Sequence, residues 1–234
     1  MHMKNRFAAV TAVALVWALP VPSAHAGRPL ATDDAGVLAT SECEWESFAA
    51  RATQRGRDAT TTLSTQIGCG VGFSSQLALT LQRETSAGQH TRTLVLGGKT
   101  GVVERKDDTP GVTLAWGIAG IKQPGDSFGH ERTALTLIVS HELAKDLTGH
   151  VNLGWQRSHL IPQSATTWNL AAEYALGNGA ELMAEYYGLT HARPALGAGL
   201  RFAATDKVSV DASFTVLSGT AKAKLWTIGA KLAF

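Results

Sequence analysis

The sequence predicts an all-β chain that closes into a transmembrane antiparallel up-and-down β-barrel of twelve strands. Three observations carry that prediction. Twelve segments alternate apolar and polar residues with a period of two, which sorts side chains onto the two faces of a strand. The connections between them alternate between short and long. Beyond residue 26 there is no run of eighteen apolar residues, so helices cannot supply the membrane crossings. Hydrocarbon satisfies no open sheet edge, so strands that cross it must close into a ring. A soluble sandwich gives no reason for the rhythm of the connections, nor for an apolar outward face on every strand.

Composition agrees. Among 234 residues there are 24 glycines but 7 prolines, 3 methionines and 2 cysteines, which suits strands joined by turns. The formal net charge is +2, and that near balance argues against a polyanionic partner such as nucleic acid.

The amino terminus reads as a secretory signal peptide, residues 1–26. Lys4 and Arg6 precede an apolar run from Phe7 to Leu19, Pro20 breaks it, and Ala24-His25-Ala26 offers small residues for cleavage. The run is too short for a spanning helix, which needs ~20 apolar residues. Cys43, the first cysteine, lies too far along for a lipoprotein site.

Residues 27–40 show no period and form a leader ahead of the barrel domain, 41–234. Arg28, Asp33 and Asp34 give it charge. The leader either enters the lumen as a small plug or stays in the periplasm as a cap on the barrel floor, and the cap is the simpler expectation.

The strands follow in order. Segment 41–51 sets Cys43 and Trp45 against Glu42, Glu44 and Glu46, and 61–71 sets Leu63, Ile67 and Cys69 against Ser64 and Gln66. Leu77, Leu79 and Leu81 mark 75–84, and Leu94 and Leu96 mark 91–102. In 111–119, Val112, Leu114, Trp116 and Ile118 share a face; in 132–143, Leu135, Leu137 and Val139 do. Segment 149–157 opposes Val151, Leu153 and Trp155 to Asn152 and Gln156. Segment 166–176 opposes Trp168, Leu170 and Tyr174 to Asn169 and Glu173. In 180–188 parity gathers Glu181, Met183, Glu185 and Tyr187 inside. Segments 194–203 and 208–217 place Arg201 and Asp211 inward. The closing strand puts Trp226, Ile228, Ala230, Leu232 and Phe234 on one face. Each segment is near the nine to eleven residues a tilted membrane strand needs.

Connections after even strands are mostly tight (72–74, 144–148, 177–179, 204–207), with 103–110 longer. Those after odd strands are mostly longer (52–60, 85–90, 120–131, 158–165). Short periplasmic turns alternating with longer external loops place both termini in the periplasm.

Two resemblances add to this reading. The alternating apolar face that ends on Phe234 resembles the terminal strand of Gram-negative outer-membrane barrels. That implies residence in outer-membrane lipid, with this strand read by the barrel-assembly machinery during biogenesis. More narrowly, Arg28-Pro-Leu-Ala-Thr-Asp-Asp-Ala35, the Cys43-Glu-Trp-Glu46 strand, Val151-Asn-Leu-Gly154 and Glu185-Tyr-Tyr-Gly188 resemble the outer-membrane transporter-like family labelled the MetA-pathway of phenol degradation. This implies transport of hydrophobic or aromatic small molecules.

The predicted lumen is narrow and polar, lined by Lys99, Asn152, Gln156, Asn169, Glu173, Glu185, Arg201, Asp211 and Lys231. Its charges either set the selectivity of a pore or neutralise one another as internal salt bridges. Cys43 and Cys69 share a face of adjacent strands in an oxidising compartment, where a disulfide and two free thiols are both open. Glu42, Glu44 and Glu46 stand nearly 7 Å apart along a strand, too far to converge on one metal ion. Lys231 is the partner expected for Glu44. Ser140, Glu142 and His150 gather on the inner face of one hairpin, but a lipid substrate does not reach the periplasmic floor of a lumen, so no enzyme and no cofactor is expected. The function expected is a channel or uptake protein for small solutes. The alternative is a structural or surface-interaction barrel, its lumen closed by its own salt bridges and its 120–131 loop the working surface.

Overall fold

The structure is a computed structural model and describes residues 28–106, 108–218 and 223–234. The expected signal peptide, residues 1–26, lies outside the described residues. Twelve strands follow the leader: β1 (Cys43–Thr53), β2 (Thr60–Gly72), β3 (Ser75–Ser86), β4 (Gln89–Val103), β5 (Gly111–Lys122), β6 (Gly129–Ala144), β7 (Leu147–Ser158), β8 (Gln163–Gly177), β9 (Ala180–Leu189), β10 (Ala195–Ala203), β11 (Val208–Leu217) and β12 (Ala223–Ala233). Each pairs antiparallel with its neighbours in the chain, and β1 pairs with β12 to close the ring. The seam holds Trp45 opposite Leu232 and Ala49 opposite Ile228. Backbone bonds at its end join Cys43 and Phe234 in both directions, at 3.0 and 2.9 Å.

Polarity is inverted relative to a soluble protein. Leu63, Leu81, Leu153, Leu196 and Ile228 face out and are exposed, Ile228 by 66%, while Gln76, Lys99, Thr113 and Asn152 face in and are buried, Thr113 completely. An outer wall of this kind is stable only against hydrocarbon.

All twelve strands occur where the alternation places them, but several run further. β6 has 16 residues and β4 has 15. The connection expected at 85–90 shrinks to Ala87-Gly88, both at positive φ, and the loop expected at 120–131 shrinks to residues 123–128. Pairing continues past the apolar belt because a hairpin in water needs no apolar face to keep its backbone bonds. At the end of the barrel away from the termini, the His130 and His159 rings stack at 3.9 Å.

Candidate functional site: a lumen threaded by the leader

Residues 28–38 lie inside the barrel rather than beneath it. Starting near β1, the leader bridges Thr40 to Gly70 and then crosses the lumen, meeting the inner wall strand by strand. The Leu38 N–H donates to Gln76 Oε1 on β3 at 2.5 Å. The Ala35 carbonyl accepts from Thr113 Oγ1 on β5 at 2.7 Å, and the Ala35 N–H donates to Ser140 Oγ on β6 at 2.8 Å. Lys99 on β4 reaches Asp33 Oδ1 at 3.1 Å and the Asp34 carbonyl at 3.0 Å. Asn152 on β7, with its amide turned so that both ends find partners, donates to the Asp33 carbonyl at 2.9 Å and accepts from the Asp33 N–H at 2.7 Å.

The deeper half is held as closely. Asn169 on β8 donates to the Ala31 carbonyl at 3.0 Å. Glu185 Oε2 on β9 accepts from the Ala31 N–H, the Thr32 N–H and Thr32 Oγ1, at 2.8, 3.0 and 2.9 Å. The Arg201 guanidinium on β10 donates to the Arg28 carbonyl through Nε and Nη2. Arg28 itself meets Asp211 on β11 at 2.7 Å and lies over the Phe48 ring, 4.4 Å from its centroid. The leader thereby satisfies polar groups on every strand from β3 to β11. The pairing is mutual, since the leader's own backbone groups find their partners on the wall.

The wall is shaped to receive it. A Cβ built on Gly229 would stand 2.2 Å from Arg28 Nη2, and one on Gly70 would stand 2.0 Å from the Ala39 carbonyl oxygen. At Gly70 a side chain collides with leader backbone, and at Gly229 it forces the Arg28 guanidinium to move.

The remaining candidates take distinct places. Glu173 pairs with Arg201 at 3.5 Å and Arg201 with Glu181 at 2.8 Å. Glu185 binds leader amides in place of a cation. Lys231 meets Glu44 at 3.5 Å, near the termini. Gln156 lies on β7 opposite Ala134 and Ala165, toward the far end of the barrel. Cys43 and Cys69 face each other in register and are joined by a disulfide. Ser140 Oγ and His150 Nδ1 are 2.8 Å apart, but the acid beside His150 is Glu173, 3.8 Å from Nε2. Glu142, the acid expected there, is exposed at the strand end opposite Thr148, beside a bulge in the β6–β7 pairing. Ser140 is buried and covered by the leader at Ala35. Among the described residues no group of three or more His, Cys, Asp or Glu is placed to hold a metal ion.

Sequence reasoning passed over Gln76, Thr113, Ser140 and Ser213 as leader anchors, the last donating from Oγ to the Pro29 carbonyl at 3.4 Å, since each reads as one more inward polar residue. It also passed over the buried Glu131–Arg132 pair, 2.7 Å apart, because a bulge in the β5–β6 pairing resets the alternation there.

Between the leader and the end of the barrel away from the termini lies a chamber of ≈130 Å³. Arg28, Leu30, Glu46, Phe48, Glu185 and Tyr187 are among its walls.

A family model described as "Uncharacterised conserved protein UCP029691" matches residues 12–234. Among curated proteins, none matches the sequence. Among solved structures, the NanC porin is similar at a TM-score of 0.59 and 9% identity, covering 80% of this chain and 98% of its own. The Ralstonia pickettii toluene transporter TbuX is similar at 0.52 and 10%, covering 91% and 94%. Outer membrane phospholipase A from Escherichia coli is similar at 0.52 and 10%, covering 86% and 93%. At such identities the likeness is one of fold, and the fold is that of an outer-membrane β-barrel.

Proposed function

The chain belongs to the family of Uncharacterised conserved protein UCP029691, and within it we propose an outer-membrane uptake channel for small solutes, closed at rest by its own leader. One observation carries the reading. A segment of chain distinct from the wall, residues 28–38, crosses the lumen and is held there by hydrogen bonds and ion pairs. Polar contacts of that kind exchange for contacts with water, so a segment held by them is able to withdraw. The chamber above the leader supports a monoaromatic or similarly compact hydrophobic solute. Its volume, ≈130 Å³, is near the ~150 Å³ of an apolar cavity that takes up benzene. Leu30, Phe48 and Tyr187 give it apolar walls. The resemblance of residues 28–35 to the MetA-pathway family points to the same class of solute. In this reading both termini are periplasmic, so the leader enters from the periplasm and the chamber opens outward. The aromatic end of β12 serves as the assembly signal.

The competing reading is a barrel that transports nothing. It is favoured by the pairing of Arg28, Asp33, Lys99, Arg201 and Asp211 across the leader. Liposome swelling decides between the two. Proteoliposomes of the intact chain should admit monoaromatic acids and alcohols slowly, at the rate the leader withdraws, and sugars of equal mass more slowly still. A variant lacking residues 28–38 should admit both. Should the truncated barrel also stay tight to every solute, the channel reading fails.

A further inference from the structure

The outer wall carries cations where its own pattern calls for leucine. On β3, Leu77, Leu79 and Leu81 face out, and the next residue on that face is Arg83. On β4, Leu96 and Leu94 lead to Arg92. The ladders set Arg83 directly opposite Arg92, and Arg92 directly opposite Lys122 on β5. Neighbouring strands lie ~5 Å apart, and like charges at opposed positions repel. Among the described residues none of the three has an ion-pair partner. The adjacent carboxylate, Glu84, has the opposite parity and faces the lumen. The row stands ~7 Å beyond Leu81 along the strand, at the edge of the apolar belt where lipid headgroups begin.

A second feature adjoins it. A groove of ≈700 Å³ runs over the small side chains Ala49 and Ala230 at the seam, between Leu63, Leu81 and Ile228, and Arg83 and Arg92 border it. The wall thus offers an apolar trough of acyl-chain character with a cationic row beside it.

We propose that Arg83, Arg92 and Lys122 form a binding site for a phosphorylated, multiply acylated lipid of the outer leaflet. Its phosphate lies on the cationic row and an acyl chain in the groove. Charge complementarity selects this occupant over a neutral lipid. Guanidinium forks match phosphate oxygens two at a time, and an anion set among three aligned cations turns their mutual repulsion into attraction. The inference rests on the orientation given above, with the termini periplasmic, but not on whether solutes pass.

Native mass spectrometry of the full chain, refolded in neutral detergent, tests it. The ligands are purified diphosphoryl lipid A, the same lipid dephosphorylated, phosphatidylglycerol and inorganic phosphate. The intact chain should retain one diphosphoryl lipid A in preference to the other three. The R83Q/R92Q variant should lose affinity about tenfold or more, in line with two charge-assisted contacts. R157Q, an outward cation outside the row, should bind as the intact chain does. Equal retention of the dephosphorylated lipid or of phosphatidylglycerol overturns the proposal, as does displacement by inorganic phosphate alone. Unchanged binding by folded R83Q/R92Q also overturns it. The comparison between lipids needs no variant, so a failure of R83Q/R92Q to fold leaves the test intact. A failure here leaves the swelling experiment untouched, and the reverse holds.

Discussion

Asp33 of the leader and Lys99 of β4 meet at 3.1 Å with both side chains buried, 0% and 3% exposed. They are 66 residues apart in the chain. A buried pair contributes modestly to net stability, but removing one partner strands the other in a medium that does not solvate it.

Lys99→Met therefore leaves Asp33 uncompensated. The expected loss is about 3–5 kcal/mol, taken up first by release of the leader. Protease protection of residues 28–38 in detergent should fall, and solute entry into liposomes should rise. Adding Asp33→Asn should recover part of the loss, since the stranded charge is then gone. Equal behaviour of the single and double variants would show that the two residues do not act as a pair.

Gly229→Val places a side chain where the Arg28 guanidinium lies. The barrel itself should keep its fold, because position 229 faces the lumen and the β1–β12 ladder is unaltered. The leader should be displaced, with the swelling rate approaching that of the chain lacking residues 28–38. A normal swelling rate with intact protection of the leader would mean the wall has room to spare.

Cys43 and Cys69 close a loop of sequence separation 26. In the chain-entropy account such a loop contributes about 3 kcal/mol. The C43S/C69S variant should lower the urea midpoint for unfolding from detergent by a corresponding amount, and reductant should do the same to the intact chain. A midpoint unmoved by both would place the constraint elsewhere, in residual structure of the unfolded chain.

His159 sits in the loop after β7, stacked on His130. Desolvation, with the nearby charges of His130 and Arg157, holds its imidazole below the ordinary histidine value. The folded state thus prefers the neutral ring. Its contribution is present above the ordinary histidine value and is lost as pH falls through the depressed one. A proton NMR titration should give His159 a midpoint below that of a free histidine, and His130→Ala should raise it. A midpoint at or above the free value would contradict the stacked arrangement.

The barrel was legible because its signal is repeated. Each strand needs just a correct parity, and Leu135–Leu137–Val139 or Val208–Val210 supplies that from a few residues. Closure follows from the medium, since lipid tolerates no edge. The leader was not legible, because its place is decided by partners scattered from Gln76 to Ser213. Nothing local marks Thr113 as an anchor and Thr93 as plain lining. Asp33 and Asp34 stand out as charges, yet their place inside the lumen depends on Lys99 and Asn152 arriving opposite them, which is a property of the closed ring. Loop lengths erred for a separate reason. Polar alternation at the ends of β4 and β6 carries no hydrophobic signal, so the pairing there is set by backbone bonds alone.

Residues 39–42 are the covalent link from the leader to the wall, and they run into β1. Any pull that extracts the leader is therefore delivered to the strand zipped against β12, the pair most distant in sequence. The covalent staple to β2 stands at the point where that load arrives. It passes the tension to a hairpin neighbour, so the mouth can be unstoppered without the cylinder being unbuttoned.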